Sequence, residues 1–337
     1  MLLGVFILDA YNKLKFNKNY KVISLSTRHL EKHIPELKLT DLSISLWSGC
    51  GQIQSGFFDS QPVIVKLSEI PESINHQVIS QSDFAKQRKD KSYLNELNFY
   101  NNPICKLAYE NVRPRCYFAK RIDVLNILIL EDFESKGFQN IDDYKFEHVY
   151  AVIDWLAQFH AKGLNLIGSE PFPIGGYWHL ETRPDEYKRM GSVELKRCAS
   201  YLADSLYKAK YQTLIHGDSK LANYAFDNNY NVLGYDYQYV GSGIGLQDVM
   251  LFMTSVFNGD TCPKYESSIL NLYFESLSKA LSNTMSIKEY ELLEREWRTL
   301  WPIVWSDFYR FLNGWKPEHK KITQFMQNKF SEVLNRI

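Results

Sequence analysis

The rhythm of apolar and polar positions changes a little over a third of the way along the chain. Up to residue 130 it is strand-like. Leu42, Ile44 and Leu46 alternate with Ser43 and Ser45, which predicts a half-buried strand. Pro62-Val63-Ile64-Val65-Lys66-Leu67 is apolar and β-branched, and Val124 to Leu130 is apolar apart from Asn126. Both read as buried strands. Between them, Ser82 to Tyr100 is polar and helix-compatible. Beyond Glu131-Asp132, helical spacing takes over. Val149, Val152, Ile153, Leu156 and Phe159 fall on one face, with Gly163 expected to end that helix. Near the C-terminus Ile322, Phe325, Met326, Phe330, Val333 and Leu334 repeat the spacing. The pattern predicts an α+β protein with a β-rich N-terminal lobe over residues 1–130 and a mainly helical C-terminal lobe over 131–337. No Pro/Gly/Ser linker marks the boundary.

The 337 residues are 45% hydrophobic and 23% charged, ample for a core. Lys+Arg and Asp+Glu are both 39, so the net charge is zero. That gives no electrostatic footing for nucleic acid or an anionic membrane. The apolar start, Met1 to Leu8, is short and lacks a basic flank, so it does not read as a signal peptide. No apolar run reaches the ~18 residues of a membrane span. The five cysteines, Cys50, Cys105, Cys116, Cys198 and Cys262, are scattered with no C-x-x-C pair. They predict free thiols in a reducing, cytoplasmic setting and neither a disulfide framework nor a zinc site.

The chemistry concentrates in Leu214-Ile215-His216-Gly217-Asp218-Ser219-Lys220-Leu221-Ala222-Asn223. A strand Tyr224-Ala225-Phe226 follows, then Asp227-Asn228-Asn229-Tyr230-Asn231, then a second strand expected over Val232 to Gln238. Asp-Asn-Asn is turn chemistry, so this is a β-hairpin. A turn near 229–230 sets Asn223 about opposite Asp236. A carboxamide oxygen and a carboxylate facing one point suit Mg²⁺, which takes hard oxygen ligands and leaves room for phosphate and water. Asp218, five residues before Asn223, is positioned to accept the proton of an attacking hydroxyl. Lys220 can offset charge on a transferred phosphate.

H-G-D-x-x-x-x-N, followed thirteen residues later by Asp in D-x-Q, resembles the aminoglycoside phosphotransferase and choline kinase superfamily, and within it the ecdysteroid-kinase-like branch. The resemblance implies a two-lobed protein-kinase-like fold that uses ATP and Mg²⁺. It makes Lys66 the strand lysine that grips the nucleotide phosphates, Glu96 its helix partner, and Leu130-Glu131 part of the hinge. Trp155 to Ala161 corresponds to the long C-lobe helix, and Asp248 to a buried aspartate bracing the catalytic loop. The glycine loop departs from the full pattern: Ser48-Gly49-Cys50-Gly51 is not G-x-G-x-x-G. Phosphate would then be cradled less completely, or by backbone N–H groups and Ser48.

The implied acceptor is a small-molecule alcohol. By the same resemblance Trp178, His179, Arg183 and Asp185 are acceptor-site candidates, although the segment also reads as a loop packed for stability. Trp301, Trp305 and Asp307 could line a cleft for a cation or planar ring, or simply pack helices. A choline- or ethanolamine-like amino alcohol and a hydrophobic alcohol both remain open. His160 reads as structural, and His216 as orienting its loop. Two competing functions stand beside the small-molecule kinase. A nucleotide-binding pseudokinase with a regulatory role ordinarily loses the base or metal residues, which are all present here. A protein kinase needs an activation segment, and only ten residues separate Gln238 from Val249.

Overall fold

A computed structural model describes residue 30, residue 33 and residues 34–46, 49–70, 82–167 and 172–337. The N-terminal run Met1–Leu8 and the loop residue Ser48 lie outside the described residues. The chain divides into two compact units. One ends at Asp143 and takes in Ala222–Gln238 as well; the other comprises Tyr144–Leu221 and Tyr239–Ile337.

The first unit is built on a five-stranded antiparallel sheet. Its strands are β1 (Leu37–Ser45), β2 (Gly51–Phe58), β3 (Gln61–Ser68), β4 (Cys116–Ile122) and β5 (Leu125–Glu131), in the order β1-β2-β3-β5-β4. On β3 the alternation works as expected. Val63, Val65 and Leu67 face a core with Leu37, Ile127 and Ile129, so Lys66 points to the other face. Helix α1 (Asp83–Asn101) starts where Ser82 caps it, the side chain accepting the Ala85 N–H at 3.2 Å. Its buried face includes Tyr93, Glu96, Leu97, Phe99 and Tyr100. A short α2 (Pro103–Ala108) follows.

The hairpin of β7 (Tyr224–Phe226) and β8 (Val232–Gly234) belongs to this unit, not to a lobe running from 131 to the C-terminus. The sequence boundary at 130 is thereby corrected. Gln139 exchanges backbone hydrogen bonds with Phe226, the Gly234 N–H donates to Val112, and the Tyr235 ring stacks on Phe133 at 5.3 Å. Such pairings are long-range in sequence, and linear patterning cannot assign them.

The second unit is mainly helical: α3 (Phe146–Leu166), α4 (Pro184–Arg189), α5 (Val193–Tyr207), α6 (Leu246–Val256), α7 (Cys262–Leu281), α8 (Ile287–Trp315) and α9 (Gln324–Leu334). A two-stranded ribbon of β6 (Thr213–Ile215) and β9 (Gly241–Gly243) lies in the same unit. Helix α3 runs through Gly163 to Leu166 and does not stop at the glycine. A Cβ there would meet Thr213 Oγ1 at 2.5 Å and Leu214 N at 2.6 Å. Gly163 therefore serves the close approach of α3 to β6, the strand that leads into the H-G-D segment.

Among the described residues no helix is long and apolar enough to cross a membrane. All five cysteines are free thiols.

Candidate active site

Within the first unit, Lys66 Nζ lies 2.7 Å from Glu96 Oε2 and 2.7 Å from Asp236 Oδ1. Glu96 and Asp236 are only 3% and 6% exposed, so this is a buried ion-pair cluster. Burial pulls the Lys66 ammonium down, but Asp236 and Glu96 together outweigh it and hold its pKa above the ordinary lysine range. Burial raises the Glu96 carboxyl, partly opposed by Lys66. Three separate elements converge here: β3 supplies the cation, α1 one carboxylate and the end of the hairpin the other.

Asp236 reaches this point by backbone conformation. The hairpin register pairs Tyr224 with Gly234, so the Tyr235 N–H donates to the Asn223 carbonyl at 3.1 Å. Asn223 is therefore opposite Tyr235, one residue earlier than expected, and the strand ends at Gly234 and not at Gln238. Asp236 then takes a left-handed φ of 66°, uncommon for a residue with a side chain. Gln238 Nε2 donates to Asp236 Oδ1 at 2.7 Å, and Gln238 is itself held by Lys89 Nζ at 3.1 Å and Asn95 Nδ2 at 3.2 Å, both on α1. The glutamine of D-x-Q thus fastens the aspartate to α1.

Asn223 is fully buried at the end of a short 3₁₀ turn, Leu221–Asn223. Asn223 and Asp236 together offer one carboxamide and one carboxylate. Among the described residues no cluster of three His, Cys, Asp or Glu could hold a metal unaided. A pair of hard oxygen donors fits an ion that completes its shell with phosphate and water, as Mg²⁺ does.

The other expected nucleotide residues are in the same unit. Gly49 has φ of 66°, and its N–H donates to the Leu46 carbonyl at 2.9 Å. Gly51 begins β2, where a Cβ would sit 2.2 Å from the Leu67 carbonyl. Strand packing therefore accounts for Gly51. Leu130 pairs with Ile64, and the Glu131 N–H donates to the Arg115 carbonyl at 2.8 Å, so that donor is committed to the sheet.

Within the second unit the H-G-D loop is braced from below. Asp248, fully buried near the start of α6, accepts the His216 N–H at 2.6 Å and the Gly217 N–H at 2.9 Å. His160 Nε2 lies 3.1 Å from the same carboxylate, and His160 Nδ1 lies 2.8 Å from the Tyr273 hydroxyl. His160 is thus a core residue of the brace, fully buried on α3. Gly217 has φ of 79°, and a Cβ there would be 2.0 Å from the Tyr239 carbonyl, so only glycine fits. The bend delivers Asp218, 5% exposed, whose Oδ2 receives Lys220 Nζ at 2.7 Å. The His216 ring accepts the Asp218 N–H at 3.3 Å. Ser255 on α6 accepts the Leu221 N–H at 3.0 Å and fixes the far end of the loop.

The tentative acceptor residues divide. Trp178, His179 and Asp307 come together at one recess of this unit. Trp178 Nε1 donates to Asp307 Oδ2 at 3.1 Å, and Arg310 Nε binds Asp307 Oδ1 at 2.8 Å. Burial pushes the His179 pKa down, against the pull of Asp307. Arg183 donates to the Tyr177 carbonyl at 2.5 Å and to Glu186 at 3.3 Å. Asp185 sits in the first turn of α4. Of the two readings of Trp301 and Trp305, the contacts fit helix packing. Trp301 donates to Glu266 at 2.5 Å, Trp305 packs edge-on against Phe325 with ring centroids 5.0 Å apart, and both are buried where α8 meets its helical neighbours.

One residue missed in the sequence is Lys321, between α8 and α9. Its ammonium donates to Thr254 Oγ1 at 2.8 Å and lies 5.8 Å from the centre of the Phe308 ring. Burial and Lys220 push its pKa down, and Asp218 opposes them. Nothing in the basic run Lys316 to Lys321 distinguished it from solvated lysines.

The β-sheet first unit and the helical second unit have the make-up of a kinase-like fold. A solved putative aminoglycoside phosphotransferase from Ralstonia eutropha superposes with a TM-score of 0.52 at 13% identity, covering 86% of this chain and 88% of its own. Weaker matches are choline kinase LicA from Streptococcus pneumoniae in complex with AMP (TM-score 0.48, 12% identity, 93% and 98% covered) and an ethanolamine kinase from Plasmodium vivax (0.46, 13%, 98% and 88%). More narrowly, the model of the ecdysteroid kinase-like family matches residues 54–179. That stretch carries Lys66, Glu96 and the Leu130-Glu131 segment. No curated protein matches the sequence.

Proposed function

We propose that this protein transfers the γ-phosphoryl group of ATP to a hydroxyl group of a small molecule, with Mg²⁺ as its metal. The observation that carries this reading is Lys66, held protonated between the buried carboxylates of Glu96 and Asp236. Burying three charged groups is costly unless they are paired. An ammonium held this way is prepared to receive anionic phosphate oxygens without reorganising.

Asn223 and Asp236 would hold Mg²⁺, which supplies charge neutralisation on the phosphate oxygens. Asp218 accepts the proton of the acceptor hydroxyl as that oxygen attacks phosphorus. The new O–P bond forms while the bond to the ADP oxygen breaks, and ADP leaves with the electron pair. Lys220, beside that carboxylate at 2.7 Å, offsets charge on the moving phosphoryl group. Asp248 and His160 keep the loop in this conformation and take no part in the bond changes. The connection from Gln238 to α6 is shorter than a protein-kinase activation segment, which supports a small acceptor over a protein.

Calorimetry with MgATP tests the reading. Asp236→Ala removes a charged partner of Lys66 and the stronger proposed metal ligand. Losing a charged hydrogen bond of this kind is worth about 1.5–3 kcal/mol, so affinity should fall roughly 10–100-fold. Asn223→Ala should lose less. Unchanged Mg²⁺-dependent ATP affinity in Asp236→Ala would overturn the assignment.

A further inference from the structure

Lys321 stands out in the second unit. It is a half-buried ammonium with a hydroxyl, Thr254, as its hydrogen-bond partner at 2.8 Å. Among the described residues it forms no ion pair with a carboxylate. A desolvated, unpaired ammonium is unfavourable, and cations left that way tend to face a ligand. The charged groups that reach it are Asp218 and Lys220 on the H-G-D loop, Lys320 beside it, and Cys262 at the start of α7. Asp218 already has Lys220 at 2.7 Å. The Cys262 thiol is pushed up to about 12, mainly by burial, so it is neutral. The His319 ring is pushed down to about 4 by burial and the neighbouring lysines, so it too is uncharged near neutral pH. Two lysines of this unit, Lys220 and Lys321, thus act on the Asp218 charge.

The two carboxylates beside the tryptophans, Asp307 and Glu266, are already engaged. Asp307 is bound by Trp178 and Arg310. Glu266 is bound by Lys329 at 2.8 Å and by Trp301. Trp178 and Trp305, buried at 1% exposure each, present no open cage. The remaining apolar surface near Lys321 is aromatic: Phe308 lies under the ammonium, and Tyr177, whose hydroxyl senses the Asp218 charge, packs edge-on against Phe308.

From these contacts we infer that Lys321 binds an anionic group on the acceptor, so that the substrate is a hydroxylated organic anion, a carboxylate or a phosphate ester, and not an amino alcohol. The inference rests on reading Asp218 as the group that receives the acceptor hydroxyl. Burial foremost, then Lys220 and Lys320, pushes the Lys321 pKa down to about 8, with Asp218 the main opposing charge. The ammonium is protonated below that pH and neutral above it. Anion binding should therefore be present near pH 7 and fall as pH rises through about 8, roughly tenfold per unit beyond that.

The test is a calorimetric titration of D-glycerate into the full chain with Mg²⁺ and a non-hydrolysable ATP analogue. Glycerol and ethanolamine serve as neutral and cationic comparators of similar size. Glycerate should bind about tenfold or more tightly than either comparator, and this preference should fade between pH 7 and about pH 9.5. Lys321→Met should abolish the preference. Lys321→Arg should keep it and carry it to higher pH, which a merely structural lysine would not do. Ethanolamine or glycerol binding better than glycerate, or a preference unchanged in Lys321→Met, overturns the inference. So does glycerate binding that the ATP analogue abolishes, because Lys321 then serves the terminal phosphate. Failure of the analogue itself to bind refutes the kinase reading separately, and the glycerate preference is read without it.

Discussion

Asp248→Asn changes one atom in the brace beneath the H-G-D loop, and the structure fixes what that should do. The wild-type carboxylate accepts from His216 N at 2.6 Å on one oxygen and from Gly217 N at 2.9 Å on the other, with His160 Nε2 at 3.1 Å. All of this is buried. Asparagine keeps the shape but replaces one acceptor with an NH₂ donor. Whichever way the amide turns, a backbone N–H then faces a donor in a site without solvent. A charged hydrogen bond is worth about 1.5–3 kcal/mol, and an unsatisfied buried donor adds about 1–3 kcal/mol. The total comes to roughly 3–5 kcal/mol, the usual range for breaking a buried charged network. At about 2–4 °C per kcal/mol for a unit of this size, Tm should drop by roughly 6–20 °C. Because Gly217 makes the bend that presents Asp218, kcat for ATP-dependent phosphorylation should fall as well, measured well below the lowered Tm. A Tm within about 2 °C of wild type, with unchanged kcat, would refute the claim that Asp248 organises the loop.

Two further substitutions probe the same loop. Asp218→Asn should leave the fold and MgATP binding intact but lower kcat by about 10²–10⁴-fold, the usual worth of a general base; near wild-type turnover would remove Asp218 from proton transfer. Gly217→Ala forces a side chain onto a backbone with φ of 79° and a Cβ 2.0 Å from the Tyr239 carbonyl. It should cost about 1–3 kcal/mol in chemical denaturation and shift the loop enough to depress kcat. Equal stability and activity would mean the loop relaxes freely, contrary to its bracing by Asp248.

The sequence alone determined whatever depends on short spacing. The β-rich first part and helical second part follow from periods of two and about 3.6 along the chain. The hairpin that carries Asn223 and Asp236 was legible because a tight turn joins its two strands. Even there the register lay one residue off, because the turn between Phe226 and Val232 sets it, and the left-handed φ of Tyr230 in that turn leaves no trace in the hydrophobic pattern. Tertiary structure decided the rest. Lys66 meets Glu96 and Asp236 across 30 and 170 positions; resemblance suggested the first pairing, and linear spacing could give neither. Sequence left the tryptophans open between cleft lining and packing, because a ring's cation-binding capacity depends on whether its face is open. Packing closed Trp178 and Trp305 and gave Asp307 to an arginine. Lys321 escaped notice for the converse reason: its run of lysines looks like solvated surface, and only the fold brings one ammonium against Thr254 and Phe308, within reach of the Asp218 charge. Local chemistry is written in adjacent residues, whereas burial and charge pairing depend on segments far apart in the chain.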